Sequence, residues 1–140
     1  MRALFDVNAL LALIDKEHTF HPTVRTWWAV NKAGGWATCA ITQNGFARIM
    51  SQPHYSNPAP TMDAIQLLAM GLEEPDHEFW PDDISYSEVP MDGVVGHRQV
   101  TDAYLAQLAR AHRGRLASFD QGLAELHRDV VDLVPTSVQQ

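Results

Sequence analysis

Cysteine is almost absent from this chain, which has 140 residues and a single cysteine, Cys39. One cysteine cannot close an internal disulfide, and this usage is typical of a reducing compartment, so we expect a cytoplasmic protein. Long hydrophobic runs are also missing, since no stretch approaches the ~20 apolar residues that a membrane span needs. Met1 and Arg2 lead directly into a short apolar run that ends at Asp6. We therefore expect no secretory signal and no membrane partner.

Basic residues are missing from one long segment. Residues 73–92 contain eight acidic residues and no Lys or Arg, whereas the rest of the chain carries nine acidic and ten basic residues. The net charge of −7 is thus largely a property of that segment. An acidic protein is usually a poor partner for nucleic acid. Because the remainder of the chain is nearly neutral, this composition still allows a cationic surface near a functional site.

Helical and strand-like segments alternate, which predicts one α/β domain with a parallel sheet of four to five strands and helices on both faces. The chain is long enough to bury roughly two-thirds of its unfolded surface, so it needs no structural metal to fold. The predicted strands are 3–5, 36–40, 77–80, 115–119 and 130–134. The predicted helices are 8–16, 22–31, 41–50, 61–70, a segment capped by Thr101 and stopped by Gly114, and 121–126. Residues 1–134 are predicted to form the domain and 135–140 a polar tail.

Three aspartates occupy the points where strands or loops lead into predicted helices. Asp6 follows the first strand, Asp120 follows the fourth, and Asp102 opens a helix. The carboxyl ends of neighbouring parallel strands meet at one edge of the sheet, where open α/β folds bind their ligands. Three carboxylates at that edge repel one another unless they are protonated or bind a cation. Singly, Asp102 and Asp120 have structural explanations as helix-terminus residues; together, the three predict a site for a hard metal ion.

Four segments, in this order, resemble the motifs of PIN-domain proteins, in particular the VapC toxins of bacterial toxin–antitoxin pairs. They are residues 5–11, 36–46, 101–105 and 118–123, and the resemblance extends from Met1 to about Val134. It implies a PIN-like fold and an endoribonuclease that uses Mg²⁺ or Mn²⁺ to hydrolyse RNA. It also implies a cognate VapB-like antitoxin, and we expect a homodimer.

The resemblance assigns roles to individual residues. Asp6, Asp102 and Asp120 match the metal ligands. Three neighbouring polar residues are expected to orient the carboxylates or metal-bound water: Asn8, Thr101 and Ser118.

One catalytic position departs from the family pattern. Gln43 stands where family members usually have Glu, so the site keeps an acceptor oxygen but loses a negative charge. We expect weaker metal affinity than in a Gln43→Glu variant, and a second metal ion is in doubt. A catalytically weakened or inactive RNA-binding module is therefore an alternative function. A phosphatase with an aspartate nucleophile is disfavoured, because Asn8 replaces the second aspartate and no lysine is placed to support a leaving phosphate.

Arginines between residues 93 and 119 are candidates for RNA phosphate contacts, although each has solvent exposure at an element end as an equally good explanation. We predict such contacts for Arg98, Arg113 and Arg115, and favour Arg98 because it lies just before the helix of Asp102. Cys39 is expected to be a small buried apolar residue rather than a nucleophile.

Overall fold

Five parallel strands form one sheet in the computed structural model, which describes residues 1–136. The strands are β1 (Ala3–Phe5), β2 (Trp36–Cys39), β3 (His77–Trp80), β4 (Arg115–Ser118) and β5 (Val131–Leu133). Their order is β3-β2-β1-β4-β5, and each neighbouring pair is parallel. The predicted parallel α/β fold is confirmed, and all five predicted strands are present to within one residue at either end.

Six α-helices cover the two faces of this sheet. They are α1 (Val7–Ile14), α2 (His21–Asn31), α3 (Ala40–Met50), α4 (Thr61–Gly71), α5 (Val100–Ala111) and α6 (Gln121–Leu126). Successive residues of β1 point to opposite faces, as the pleat requires. Phe5 packs with apolar residues of α1 to α4, and Leu4 packs with those of α5 and with Leu123 of α6. Within residues 1–136, no helix has the length and apolar character required to span a membrane.

Aromatic packing fixes the carboxyl end of β1. The Phe5 ring is fully buried and makes edge-to-face contacts with Trp27, Trp28 and Trp36, at centroid distances of 6.2, 5.4 and 5.8 Å. Such contacts add to the burial energy of the rings. Because Asp6 follows Phe5 directly, this aromatic cluster positions the backbone of Asp6 at the carboxyl end of β1.

The strand order places a topological switch point between β1 and β4. From β1 the chain proceeds outward through β2 and β3, and then crosses to the other side of β1 to form β4 and β5. In open α/β sheets, the crevice at such a point, outside the carboxyl ends of the strands, is where ligands bind. Asp6 follows β1 and Asp120 lies two residues beyond β4, so both aspartates border this crevice.

Both predicted ends of α5 need correction. The helix begins at Val100 with Gln99 at its N-cap, so Thr101 lies within the first turn and does not cap it. The helix ends at Ala111, and Arg113 takes the left-handed conformation (φ 55°) that a helix stop usually gives to glycine. Gly114 is required for a different reason: a Cβ there would lie 2.6 Å from the Arg2 carbonyl oxygen.

Hydrogen bonding to β4 continues one residue beyond β5, because the Val134 N–H donates to the Ser118 carbonyl at 2.7 Å. Val134 is buried, whereas Thr136 is exposed. Of the predicted polar tail, residues 137–140 lie outside the described residues, so the domain boundary at 134 stays a prediction.

Candidate active site

Asp6 is a buried carboxylate at the N-terminus of α1. Its Oδ1 accepts the Ala9 N–H at 2.9 Å, so the side chain caps the helix. Only 7% of the residue is exposed. A helix N-terminus favours negative charge, but burial withdraws water from the carboxylate, and the two effects oppose each other.

Asp120 has the equivalent position after β4. Its Oδ1 accepts the Leu123 N–H at 2.9 Å and caps α6, but the residue is exposed. Ser118 lies beside both aspartates: its Oγ accepts the Asp120 N–H at 3.0 Å, and its fully buried hydroxyl acts to lower the pKa of Asp6. The role of Ser118 in orienting the carboxylates stays a prediction, and its position beside both aspartates is what the role requires.

Asp102 approaches the same region from the first turn of α5 and is half-buried. A cavity of about 20 Å³ is lined by both Asp102 and Asp120. The remaining lining residues of this cavity are Gln99, Leu123, Leu126 and His127. The cavity brings Asp102 and Asp120 together, and Asp6 lies close enough for the charges of both to affect its pKa.

The charges of these aspartates interact. Burial raises the pKa of Asp6 to about 6, with further increases from Asp102 and Asp120, and the hydrogen bonds from Ser118 and Ala9 only partly offset the rise. The pKa of Asp102 is raised by burial and by the charge of Asp120. A carboxylate whose pKa is raised by burial and by specific neighbouring charges is a common sign of a functional site.

The donor chemistry at this crevice fits a hard divalent cation. Carboxylate and hydroxyl oxygens are the ligands that Mg²⁺ and Mn²⁺ prefer. The ion pairs within residues 1–136 join Arg side chains to other acids, so no basic side chain neutralises Asp6, Asp102 or Asp120. No group of three His, Cys, Asp or Glu side chains in the same residues is arranged to hold an ion as it stands.

Gln43 lies in the first turn of α3, at the carboxyl end of β2, which neighbours β1. Its Nε2 donates to Thr38 Oγ1 at 2.9 Å, and the same hydroxyl lies 2.8 Å from His77 Nε2. This network involves three segments of the chain, and sequence reasoning missed both Thr38 and His77. Thr38 is fully buried, so the network restrains the Gln43 side chain near the carboxyl end of β2.

A groove of about 470 Å³ adjoins the acidic crevice. It is lined by Val7, Asn8, Ile41, Asn44, Gly45, Arg48, Ile49 and Thr101. Val7 and Thr101 are the sequence neighbours of Asp6 and Asp102, which places the groove beside the acids. Asn8 and Thr101, predicted to orient the carboxylates, are exposed on this groove. Arg48 is an exposed groove residue that the sequence analysis did not select.

The three predicted RNA-binding arginines lie in different places. Arg98 is exposed in the short 3-10 turn His97–Gln99 that leads directly into α5 and Asp102. Arg115 begins β4 and pairs with Asp132 at 2.6 Å. The amino end of β4 is the edge of the sheet opposite the acids, so the structure does not bring Arg113 or Arg115 to the crevice.

Cys39 is buried at the end of β2, and burial raises the pKa of its thiol to about 11. Such a thiol is protonated at neutral pH and is a poor nucleophile. This agrees with the expectation that Cys39 has a packing role.

The sequence of this chain is similar to a known domain family and to proteins named as ribonucleases. The family model of the PIN domain matches residues 3–129. Ribonuclease VapC29 of Mycobacterium tuberculosis (strain CDC 1551 / Oshkosh) is 45% identical over 139 residues, which cover 98% of this chain and 99% of the relative. Ribonuclease VapC44 of the same strain is 47% identical over 127 residues, 89% of each chain.

A solved structure has a similar fold. It is the crystal structure of VapBC2 from Rickettsia felis bound to a DNA fragment from their promoter, with a TM-score of 0.69. The match covers 95% of this chain and 98% of the other at 13% identity, and so supports the fold alone. With the family match over 3–129 and the two ribonuclease relatives, the chain belongs to the PIN-domain family.

Proposed function

We propose that this protein is a metal-dependent endoribonuclease toxin that hydrolyses RNA phosphodiester bonds in the cytoplasm and is neutralised by a cognate VapB-like antitoxin. The observation that carries the proposal is the convergence of three carboxylates at the switch point: none of them forms an ion pair within residues 1–136, and the charges of Asp102 and Asp120 add to the burial that raises the pKa of Asp6. Support also comes from the names of the relatives that this chain resembles over nearly its whole length.

Asp6, Asp102 and Asp120 would hold Mg²⁺ or Mn²⁺. When bound, such an ion polarises the scissile phosphodiester and lowers the pKa of an attacking water. Ser118 restrains Asp120 through the backbone N–H, and its neighbouring hydroxyl would orient the Asp6 carboxylate. Gln43 contributes a neutral amide at the edge of the site, restrained by Thr38.

The groove beside the acids is the proposed path of the RNA strand. Arg48 is exposed there and forms no ion pair within residues 1–136, so its guanidinium is available to a phosphate. Asn8 and Asn44 line the same groove and offer amide groups for hydrogen bonds to the sugar or a base. Arg98 remains a proposed phosphate contact on the side of α5.

The test is cleavage of a structured RNA with Mg²⁺ or Mn²⁺, comparing Asp102→Asn with Asp63→Asn. Both are acids in the first turn of a helix, but Asp63 is exposed on α4. We expect Asp102→Asn to lose at least about 100-fold in rate, because losing several kcal/mol of charge stabilisation costs two or more decades. Asp63→Asn should retain the full rate. Cleavage that survives in EDTA, or that Asp102→Asn leaves unchanged, would overturn the proposal.

A non-cleaving RNA-binding module is the second candidate, and Gln43 is the observation that favours it. Replacing the family's usual Glu with Gln leaves three carboxylates in place of four at the metal site. RNA binding without metal-dependent cleavage in the same assay would support this candidate.

The proposed partners are a VapB-like antitoxin and a second copy of this chain. Three large apolar side chains are exposed on α4: Met62 at 74%, Ile65 at 49% and Met70 at 67%. An exposed apolar surface of this kind is typical of a protein-binding face. Co-expression with the product of a neighbouring small reading frame should suppress the nuclease, and light scattering should give the mass of a homodimer for the free protein.

A further inference from the structure

His127 is held in one protonation form by its neighbours. Arg110 binds Asp129 with two hydrogen bonds, Nε to Oδ2 at 2.7 Å and Nη2 to Oδ1 at 2.9 Å. The same Nη2 lies 2.9 Å from His127 Nδ1. A guanidinium can only donate, so Nδ1 must be the acceptor and a neutral ring carries its proton on Nε2.

The Nε2 atom of His127 is a buried donor without an acceptor. Only 5% of the residue is exposed, and Nε2 has no hydrogen-bond partner in the described part of the chain. Burial lowers the pKa of His127, and the charge of Arg110 lowers it further against the opposing effect of Asp129. Buried polar groups are nearly always paired with protein or water, so an orphaned N–H indicates a missing partner.

The cavity next to His127 can supply that partner. It is the cavity of about 20 Å³ that His127 shares with Asp102 and Asp120. A single water molecule needs roughly 10–15 Å³ and two to four polar neighbours. A water placed here would accept from the His127 ring N–H and donate to Asp102 and Asp120, which is a sufficient set of partners.

We propose that His127 is a positioning residue of the acidic site: its Nε2–H binds one water in this cavity, and the water donates to the carboxylates of Asp102 and Asp120. The water restrains both carboxylates where α5 and α6 meet, and Arg110 and Asp129 restrain the ring that binds it. This inference rests on the proposed metal-dependent function, because the orientation of the carboxylates matters to the ion they hold. Partners of metal ligands of this kind commonly affect metal affinity by about 10–100-fold.

Two measurements on the metal-free protein test the arrangement itself. Nitrogen-15 NMR of the imidazole should show His127 neutral at neutral pH, with the proton on Nε2 and none on Nδ1. A high-resolution crystal structure should contain a water within hydrogen-bonding distance of Nε2 and of a carboxylate oxygen. The opposite tautomer, or a dry cavity, would overturn the inference.

Calorimetric titration with Mn²⁺ then tests the effect on the acids. We expect His127→Leu to weaken Mn²⁺ binding about 10-fold, the lower end of the usual range. His127→Gln, which keeps an N–H donor, should stay within about twofold of the unmodified protein. His112→Leu is the matched control, because His112 stacks on Trp80 at 4.3 Å in another part of the fold and should leave the affinity unchanged.

The outcomes separate the two proposals. If the unmodified protein does not bind Mn²⁺, the proposed function fails. The NMR measurement of the tautomer and the crystallographic search for the water still test the proposed arrangement at His127. If it binds Mn²⁺ and His127→Leu binds equally well, the positioning role is wrong. A merely structural role predicts equal losses in the Leu and Gln variants, in step with their loss of thermal stability. Should the Leu variant fail to fold, the NMR and crystallographic results decide alone.

Discussion

Asp6 and Asp120 perform the same local task at the ends of adjacent strands. Each follows a strand of the sheet and accepts, through Oδ1 at 2.9 Å, the N–H of the residue three positions later. Neither cap uses the second carboxylate oxygen. Because β1 and β4 are paired and parallel, the two caps lie side by side at the switch point, with Ser118 between them. A structural explanation as helix caps is thus correct for both residues and does not exclude a metal-binding role.

The ionisation of Asp6 should reduce stability at neutral pH. The folded protein keeps a proton on Asp6 up to about pH 6, whereas the ordinary value is 3.8. Between these values the folded state binds more protons than the unfolded state, so the stability contributed by Asp6 falls as the pH rises. Asp6→Asn abolishes the ionisation and keeps a good N-cap. We expect the variant to be more stable than the unmodified protein near neutral pH, by up to about 3 kcal/mol for two pKa units.

The advantage of Asp6→Asn should vanish near pH 4, where the folded protein already carries the proton. Urea unfolding in EDTA at the two pH values measures the difference, with Asp63→Asn as the exposed control. A variant that is less stable than the unmodified protein at both pH values would contradict the assigned burial of the charge. Under the proposed function, Mn²⁺ should stabilise the unmodified protein near neutral pH and stabilise Asp6→Asn less, because only two of the three carboxylates remain.

Gln43→Glu should strengthen metal binding. The substitution adds a fourth negative charge at the carboxyl end of β2, and an additional ~1.4 kcal/mol of interaction corresponds to a tenfold change in affinity. The Thr38 hydroxyl can donate to the new carboxylate when His77, 2.8 Å away, carries its ring proton on Nε2 and donates to Thr38 in turn. Calorimetric Mn²⁺ titration is the measurement. Gln66→Glu, on the exposed face of α4, adds the same charge away from the site, and equal gains in the two variants would refute a local effect.

Arg48→Ala should weaken RNA binding more than Arg113→Gly. Arg48 lines the groove beside the acids, whereas Arg113 lies beyond the opposite edge of the sheet. Loss of one phosphate contact reduces the slope of log affinity against log salt by about one. Binding is best followed in an Asp102→Asn background, where cleavage does not interfere.

Arg113→Gly also has an expected effect on stability. Arg113 occupies a left-handed conformation with φ 55°, which glycine adopts at no steric cost. The variant should therefore be at least as stable as the unmodified protein while its RNA affinity and salt slope stay unchanged. A reduced salt slope in Arg113→Gly would restore this arginine to the RNA-binding surface.

The sequence was sufficient for the sheet and for its acidic edge because those features are local. Short apolar runs ending in Asp6 and near Asp120 identify the strands, and parallel pairing then brings their ends together. The direction of β4 also follows from the sequence. Arg115 begins this strand and Asp120 lies beyond its end, so Arg115 has to lie at the opposite edge of the sheet from Asp120. Applying that rule to the arginines would have removed Arg113 and Arg115 from the RNA-binding prediction.

Contacts between distant segments could not be predicted in this way. His77 meets Thr38 across 39 positions, and Arg110 meets His127 across 17. Neither pair has a local pattern that distinguishes it from an exposed polar residue on a strand or helix. Arg48 was missed for a related reason. It is a candidate for phosphate binding only because it lines a groove, and that groove forms only when α1, α3 and α5 pack together.

Close packing at Gly45 should couple the groove to Asp6. A Cβ on Gly45 of α3 would lie 2.5 Å from Val7 Cγ2, and Val7 directly follows Asp6. Gly45→Ala should destabilise the protein by about 1–3 kcal/mol through overpacking, less the gain in helix propensity of up to ~1 kcal/mol. Val7→Ala removes the clashing methyl groups, so the double variant should recover most of that loss. Urea unfolding of the four proteins in the cycle gives the coupling energy, for which we expect a favourable value of about 0.5–3 kcal/mol. Strictly additive effects would show that α1 and α3 do not constrain each other at the point where the Asp6 carboxylate enters the site.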